Sequence, residues 1–289
     1  MRQRSISAGG VVIVGLVPVF LGGPVLAAAL TVICLIGFFE FLLLVQRLGY
    51  RPVAVGFAAV PAFAVTALAD GGTQIAVAIA AASLIIPITV EIFEPELTGA
   101  VVDWSVAFLG ALYLGIPVYA AVALRGVEGS VEREWLRDLD DWTSFGWDAA
   151  PRGMAWLLLV ILVTWLSDTG AYLIGRAVGR RPLIPVVSPN KTWEGLIGGL
   201  VFAAGTGALC VWLLGLEINP LAGIGIGLII AVAGVVGDLA ESVIKRQAGV
   251  KDSGSLIPGH GGMLDRVDAL LFTFPAGWLV ASLVDRFVR

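Results

Sequence analysis

Long runs of apolar residues recur along this 289-residue chain, each close to the length that crosses a lipid bilayer. A transmembrane helix needs about 20 predominantly apolar residues. Hydrophobic residues make up 58% of the chain and charged residues only 14%, against about 25% charged in an ordinary soluble domain. We therefore predict an all-α integral membrane protein, a polytopic bundle of about nine transmembrane helices near residues 8–23, 25–46, 52–69, 73–93, 100–124, 153–178, 195–216, 219–244 and 266–284.

Composition also limits the partners. The formal net charge is −4, and no basic arm suggests nucleic-acid binding. Cys34 and Cys210 both lie inside apolar runs, so we interpret them as packing residues rather than a disulfide or a metal pair. The polar segment 125–152 is mixed in charge and contains several Trp residues, and we expect it to form a surface helix at the membrane interface.

Acidic and basic side chains gather in the stretch from Gly237 to Asp268, which reads GDLAESVIKRQAGVKDSGSLIPGHGGMLDRVD. If the apolar run that enters it is helical, steps of three and four residues place one set of polar side chains on one face: Asp238, Glu241, Ser242 and Lys245. Carboxylates suit hard cations such as Mg2+, and Lys and Arg suit phosphate oxygens. An ordinary cytoplasmic loop with anchoring charges is the alternative, but it would not need carboxylates at both helix ends.

This stretch closely resembles the signature of the phosphatidate cytidylyltransferases, the CDP-diacylglycerol synthases. The matching residues are Ser242, Lys245, Arg246, Lys251, Asp252, Pro258, Gly259, His260, Gly261, Gly262, Asp265, Arg266 and Asp268. Residues 167–172 (SDTGAY) and the loop residues 188–195 (SPNKTWEG) resemble further motifs of the same family. Asn190 is a mild departure that weakens any role for a second lysine there. The Lys191-Thr192 pair is not a P-loop, because the upstream glycines of that motif are absent.

The resemblance implies an activity and its partners. It implies transfer of CMP from CTP to phosphatidate, giving CDP-diacylglycerol and pyrophosphate, in phospholipid biosynthesis. It also implies Mg2+ as cofactor, as one or two ions, and a homodimer surrounded by membrane lipids. We treat residues 1–289 as a single membrane-embedded catalytic domain, with a helical subregion 1–124 and a catalytic region 153–289 joined by segment 125–152.

Residue roles combine the resemblance with side-chain chemistry. We expect Asp238 and Asp265, at the two helix ends that frame the loop, to bind Mg2+. The expected catalytic set is Asp238, Ser242, Lys245, Asp265 and Asp268. The expected substrate- or phosphate-binding residues are Ser167, Asp168, Lys191, Thr192, Arg246, Lys251, His260, Gly261, Gly262 and Arg266.

Two of these residues have competing interpretations. His260 is the only histidine, and we interpret it as a phosphate or nucleotide contact first and a general base second. A phosphomonoester has a second pKa of about 6, so it is already an anionic nucleophile at neutral pH. The glycines around His260 permit positive φ and let backbone N–H groups point at phosphate. Thr192 also suits the N-cap of the next helix, and both roles are compatible.

The distribution of Lys and Arg predicts an orientation. With nine spans and the N-terminus inside, one side of the membrane carries twice as many Lys and Arg residues as the other. The positive-inside rule therefore predicts a plasma or inner membrane protein whose N-terminus and signature loops are cytoplasmic.

Two alternatives come from other functional classes. One is a different membrane nucleotidyl- or phosphotransferase acting on a lipid phosphate, although the Asp-Gly…Ala-Arg pattern of CDP-alcohol phosphotransferases does not occur in this sequence. The other is an ion-coupled transporter, in which intramembrane carboxylates such as Glu40, Glu91 and Asp103 would act as ion sites. For Glu40 and Asp103 we also weigh simple hydrogen bonding between helices.

Overall fold

The computed structural model describes residues 15–69, 72–144, 149–254 and 261–288. Within these ranges the chain is mainly α-helical, with one short hairpin formed by β1 (Pro182–Ile184) and β2 (Ser188–Thr192). The helices are α1 (Gly23–Arg47), α2 (Gly56–Leu68), α3 (Gly72–Ile92), α4 (Ala100–Arg125), α5 (Glu134–Thr143), α6 (Pro151–Val178), α7 (Trp193–Leu214), α8 (Pro220–Gln247), α9 (Leu264–Val267) and α10 (Leu270–Val288).

Among the described residues, seven segments are long and apolar enough to cross a bilayer: α1, α3, α4, α6, α7, α8 and the combined α9–α10 segment Leu264–Arg286. They confirm an all-α, polytopic integral membrane protein, but not the expected number of about nine spans. The run predicted at 52–69 forms only the 13-residue α2, about 20 Å long, against a hydrocarbon core of about 30 Å. Residues 8–14 of the run predicted near 8–23 lie outside the described residues, and residues 15–21 of it are helical.

The chain divides into two compact units by the density of its internal contacts. Unit 1 comprises Met1–Gly23, Ala123–Ser242 and Asp268–Arg289. Unit 2 comprises Pro24–Val122 and Val243–Val267. The expected single catalytic domain with subregions 1–124 and 153–289 stays a prediction.

In unit 1, small residues let α7 and α8 touch through their backbones. A side chain at Gly207 of α7 would collide with the carbonyl oxygen of Gly223 on α8. A side chain at Gly227 of α8 would collide with the carbonyl oxygen of Ala203 on α7. Small residues at such contacts are typical of helices packed inside membranes, where close backbone approach supplies the packing energy. The α7–α8 contact therefore fixes the position of α8, which carries Asp238.

In unit 2, aromatic rings hold the short helix α2. The ring of Phe38 on α1 packs edge-on against Phe57 of α2, with 5.0 Å between ring centroids. Phe63 of α2 packs edge-on against Tyr119 of α4, with 6.4 Å between centroids. Edge-to-face pairs at these separations are favourable arrangements of aromatic side chains. A 13-residue helix is marginal by itself, so its stability comes from these contacts with α1 and α4.

The polar segment between α4 and α6 is anchored by a buried ion pair in unit 1. The guanidinium Nη2 of Arg125 lies 2.5 Å from Oδ1 of Asp140 on α5, and both residues are fully buried. Arg125 also donates hydrogen bonds to the carbonyl oxygens of Val19 (2.9 Å) and Ala150 (3.2 Å). The surface helix that the sequence predicts here is therefore tied to the protein interior by one face, while Trp142 remains exposed.

Burial makes this ion pair costly as well as important. The second carboxylate oxygen of Asp140 has no hydrogen-bond partner within the part of the chain that the structure describes. Burial, opposed by the charge of Arg125, raises the pKa of the Asp140 carboxyl above its ordinary value. Removing one member of a buried ion pair leaves the other charge uncompensated, which is more damaging than the pair itself is stabilising.

We predict that Asp140→Ala lowers the free energy of unfolding by about 3–5 kcal/mol, because it leaves the Arg125 guanidinium buried without its counter-charge. The measurement is the thermal unfolding midpoint of the purified protein in detergent. Asp138→Ala is the matched control, since Asp138 lies on the same helix and is exposed. Equal midpoints for the two variants would show that the buried pair does not stabilise the fold.

Candidate active site

The first cluster of predicted site residues lies in unit 1. The ammonium Nζ of Lys191 on β2 lies 2.6 Å from Oδ2 of Asp238 on α8. Asp168 on α6 interacts electrostatically with both of these residues. The side chains of Lys191 and Asp238 are 28% and 36% exposed, so a dissolved ligand has access to the ion pair. Three elements that are distant in sequence thus bring two carboxylates and one ammonium group together.

The hairpin between α6 and α7 holds Lys191 in place. Its strands β1 and β2 pair antiparallel. The carboxylate of Glu194 closes the hairpin base by accepting hydrogen bonds from the backbone N–H groups of Arg180 (3.0 Å) and Arg181 (3.2 Å). Strand β2 replaces part of the loop that the sequence predicts over residues 188–195. The two strands are three and five residues long, too short for an alternating pattern to identify them.

Thr192 caps α7. Its Oγ1 accepts a hydrogen bond from the backbone N–H of Gly195 at 3.1 Å, which satisfies one of the free amides of the first helical turn. The predicted capping role of Thr192 is therefore confirmed. Ser167, also predicted at the site, is buried, and its hydroxyl donates to the carbonyl oxygen of Thr164 on its own helix.

The second cluster lies in unit 2 and centres on Asp265. The ammonium Nζ of Lys245 lies 2.5 Å from its Oδ1. Its Oδ2 accepts hydrogen bonds from the backbone N–H of Ser253 (2.9 Å), the hydroxyl of Ser253 (2.8 Å) and the backbone N–H of Gly262 (2.8 Å). Both oxygens of Asp265 are thus engaged. The loop between α8 and α9, residues 248–263, is called the signature loop below. The Asp265 carboxylate links the end of α8 to residues near both ends of this loop and thereby holds them together.

Glycine at position 261 is required by the backbone of this loop. Gly261 has φ of +77°, a left-handed conformation that favours glycine. The positive φ expected in this glycine-rich segment is therefore confirmed at this residue. The backbone N–H of Gly262, expected to point at phosphate, instead donates to Asp265 in this structure.

The remaining predicted residues differ in exposure. Three basic residues of the signature are exposed: Arg246, Lys251 and Arg266. Ser242 is buried on α8. Oδ1 of Asp268 accepts the backbone N–H of its neighbour Ala269 at 2.7 Å. His260, with residues 258 and 259, lies outside the described residues, so its role as a phosphate contact or base stays a prediction.

The structure thus forms two lysine–aspartate pairs from the predicted residues. Asp238 pairs with Lys191 in unit 1, and Asp265 pairs with Lys245 in unit 2. The expectation that Asp238 and Asp265 bind Mg2+ stays a prediction.

Two residues contribute to the signature loop in ways that the motif did not reveal. Ser253 follows the Lys-Asp pair of the signature, and no spacing distinguishes it from other loop serines. For Glu40 the sequence predicts an intramembrane functional carboxylate or a hydrogen-bond partner between helices. In the structure its carboxylate instead accepts hydrogen bonds from Ser253, Met263 and Leu264, next to the signature motif. The sequence shows Glu40 as an acidic residue within an apolar run, but this pattern does not identify its hydrogen-bond partners.

The donor chemistry of unit 1 suits a divalent cation. Among residues 15–69, 72–144, 149–254 and 261–288, no three His, Cys, Asp or Glu side chains group closely enough to hold a metal ion. Mg2+ rarely needs such a cage, since it is usually bound through one or two carboxylates plus substrate phosphates and water. Asp168 and Asp238 supply two coupled carboxylates of this kind.

The fold and the two lysine–aspartate pairs define a class: a polytopic helical membrane protein with acidic and basic groups paired at the ends of apolar helices. A family model described as the cytidylyltransferase family matches residues 2–284. The chain therefore belongs to the cytidylyltransferase family.

Proteins named phosphatidate cytidylyltransferase match part of the chain. A phosphatidate cytidylyltransferase of Staphylococcus aureus (strain COL) is 44% identical over 131 residues, which are 45% of this chain and 50% of that protein. The phosphatidate cytidylyltransferase of Staphylococcus haemolyticus (strain JCSC1435) is 45% identical over 123 residues, which are 43% of this chain and 47% of that protein. The chain thus spans about half the length of the curated relatives it matches.

We predict that Thr192→Ala lowers the free energy of unfolding by about 1 kcal/mol, because it removes the N-cap of α7. Thr192→Ser keeps the capping oxygen and should restore the thermal midpoint measured in detergent. Thr89→Ala is the control, because the Thr89 hydroxyl bonds only to the carbonyl one turn earlier in an exposed part of α3. A midpoint for Thr192→Ala no lower than that of the control would contradict the capping role.

Proposed function

We propose that this protein is a phosphatidate cytidylyltransferase, which transfers CMP from CTP to phosphatidate and releases CDP-diacylglycerol and pyrophosphate. The observation that carries the proposal is the pair of short lysine–aspartate contacts, Lys191–Asp238 and Lys245–Asp265, formed by residues of the family motifs. The match to the cytidylyltransferase family and the relatives named phosphatidate cytidylyltransferase support the choice of substrates.

The reaction joins two anions, so its main obstacle is charge repulsion. A phosphate oxygen of phosphatidate attacks the α-phosphorus of CTP, and the bond from that phosphorus to the bridging oxygen of pyrophosphate breaks. The attacking phosphate has a second pKa of about 6, so it needs no base at neutral pH. Catalysis therefore depends on aligning the two phosphates and stabilising the charge that moves to the leaving pyrophosphate.

The two lysines are suited to this task because aspartates already hold their ammonium groups. Each ammonium has three N–H donors, so it can contact phosphate oxygens as well as a carboxylate. Lys191 sits on a hairpin clamped by Glu194, and Lys245 sits in α8 with its side chain directed at Asp265. Donors fixed before the substrate arrives need no reorganisation during the reaction, which is the basis of electrostatic catalysis. Three exposed cations of the signature add positive charge for a triphosphate: Arg246, Lys251 and Arg266.

Mg2+ belongs to the proposal as the cofactor, with Asp238 and Asp265 as the ligands expected from the motif and Asp168 as a further carboxylate beside Asp238. When bound, it supplies positive charge that neutralises phosphate oxygens. The protein's own part is to hold these carboxylates: Asp238 through Lys191, and Asp265 through the loop hydrogen bonds.

We predict that the purified protein in detergent, supplied with CTP, phosphatidate and Mg2+, releases pyrophosphate and CDP-diacylglycerol in equal amounts. Lys191→Met and Lys245→Met should each lower kcat/KM by about 100- to 1000-fold, because each removes one fixed donor that stabilises charge. Arg137→Met is the control, since Arg137 is a cation outside the family motifs, on α5.

Each other outcome points to a different class. Release of CMP from an added CDP-linked alcohol, with CTP left unchanged, would indicate a CDP-alcohol phosphotransferase type of reaction. If CTP and the CDP-linked alcohol both stay unchanged while the protein remains folded, the enzymatic proposal is overturned and the transporter class is favoured.

We further propose that the hairpin and the signature loop face the cytoplasm, where CTP is found. The excess of Lys and Arg on that side supports this orientation. The helix α6 separates segment 125–152 from the hairpin, so the two segments should emerge on opposite sides of the membrane.

We predict that a membrane-impermeant thiol reagent applied to intact cells labels Trp142→Cys but not Val186→Cys. Both positions are well exposed, at 77% and 87%, and Cys34 and Cys210 are buried, so background labelling should be low. Val186→Cys should become reactive once the membrane is permeabilised. The reverse pattern in intact cells would place the hairpin outside and contradict access to cytoplasmic CTP.

A further inference from the structure

Glu40 is a buried acid within the apolar helix α1 and is 4% exposed. Its Oε1 accepts a hydrogen bond from the backbone N–H of Met263 at 3.0 Å. Its Oε2 accepts from the backbone N–H of Leu264 at 2.8 Å and from the hydroxyl of Ser253 at 3.1 Å. One carboxylate on a membrane helix thus holds both sides of the signature loop within unit 2.

The partners of Glu40 are not those of an ordinary contact between two membrane helices. Met263 and Leu264 directly precede Asp265 in the chain, and Ser253 directly follows Asp252 of the signature. Hydrogen bonds to a charged acceptor are stronger than those between neutral groups. Glu40 therefore restrains the backbone immediately before Asp265 and the side chain of the residue that follows the Lys-Asp pair of the signature.

The glycines of the loop leave space for this carboxylate. A side chain at Gly254 would collide with Oε1 of Glu40. A side chain at Gly262 would collide with the Ser253 hydroxyl and would lie 2.5 Å from Oε2 of Glu40. The loop sequence and the distant glutamate therefore fit one another sterically as well as through hydrogen bonds.

The hydroxyl of Ser253 links Glu40 to Asp265. Its Oγ lies 3.1 Å from Oε2 of Glu40 and 2.8 Å from Oδ2 of Asp265. A hydroxyl has one hydrogen, so the two carboxylates share a single donor. Asp265 also pairs with Lys245, which gives a continuous chain of contacts from α1 through Ser253 and Asp265 to α8.

We propose that Glu40 is a positioning residue for the reaction: it fixes the backbone of the signature loop and, through Ser253, the orientation of Asp265. This inference rests on the proposed cytidylyltransferase activity for its catalytic consequence. The role is positional because the described contacts of Glu40 are with the protein's own loop. Groups that support a functional side chain in this way typically change activity by about 10- to 100-fold when they are removed.

The test compares Glu40→Gln with Glu91→Gln in the full-length protein in detergent. Glu91 is the matched control, because it is also a buried glutamate in an apolar helix of unit 2, at 8% exposure. Glutamine presents an NH2 group in place of one oxygen, so in either orientation the backbone N–H of Met263 or of Leu264 loses its acceptor. The readouts are kcat and KM for CTP, and hydrogen–deuterium exchange of the peptide that contains Met263 and Leu264.

We expect Glu40→Gln to lower kcat by about 10- to 100-fold with little change in KM for CTP. We also expect at least about 10-fold faster exchange in the Met263–Leu264 peptide, because the loop amides lose their acceptor. Glu91→Gln should leave both readouts near those of the unmodified protein. The inference is overturned if Glu40→Gln matches the control in both readouts, or if either readout changes without the other.

Ser253→Ala keeps the test decisive if Glu40→Gln does not fold. It removes only the shared hydroxyl, and we expect a smaller loss of kcat together with faster exchange in the same peptide. Where both variants fold, their effects should be less than additive, since they interrupt one network. Unmodified protein that makes no pyrophosphate would refute the proposed function, whereas the exchange experiment would still report whether Glu40 holds the loop.

Discussion

A charge that is surrounded by apolar helices must be matched by an opposite charge or by hydrogen-bond donors, and this requirement organises much of the described structure. An unmatched carboxylate or ammonium in such surroundings is strongly disfavoured. Arg125 is matched by Asp140, Lys191 by Asp238, Lys245 by Asp265, and Glu40 by the donors of the signature loop. Only 14% of the residues are charged, and these specific pairs hold the polar segments in place.

The pairs differ in exposure, and this difference separates the fully buried pair from the pairs that we propose to act on substrate. Arg125 and Asp140 are fully buried, so exchange of partners there would leave a charge without solvent or counter-charge. Lys191 and Asp238 are partly exposed. An anionic ligand can therefore accept a hydrogen bond from the ammonium, while water or a cation balances the charge of the carboxylate. Asp265 is intermediate: its oxygens accept from the loop as well as from Lys245, so its position is set by the loop conformation.

The sequence predicted the long membrane helices much better than the contacts between polar residues, and the chemical roles of the signature residues stay predictions. The run predicted at 219–244 is observed as α8, Pro220–Gln247, because apolar composition and length suffice to define a membrane helix. The run predicted at 52–69 forms only the 13-residue α2, because apolar composition indicates a span without showing where the helix begins and ends. The hairpin that carries Lys191 and the buried pair between Arg125 and Asp140 left no periodic signal. The link from Glu40 to Ser253 joins residues far apart in the chain, and a single sequence contains no measure of such proximity.

The backbone contact between α7 and α8 has a consequence for lipid access. With Gly207 against Gly223, and Gly227 against Ala203, the two backbones touch directly and leave no room for lipid at these positions. Elsewhere α8 presents a stripe of exposed aliphatic side chains at Ile229, Val232 and Val236, which ends two residues before Asp238. Within unit 1, the hydrocarbon of the bilayer can therefore extend along this stripe nearly to the carboxylate, whereas the glycine contacts with α7 exclude it.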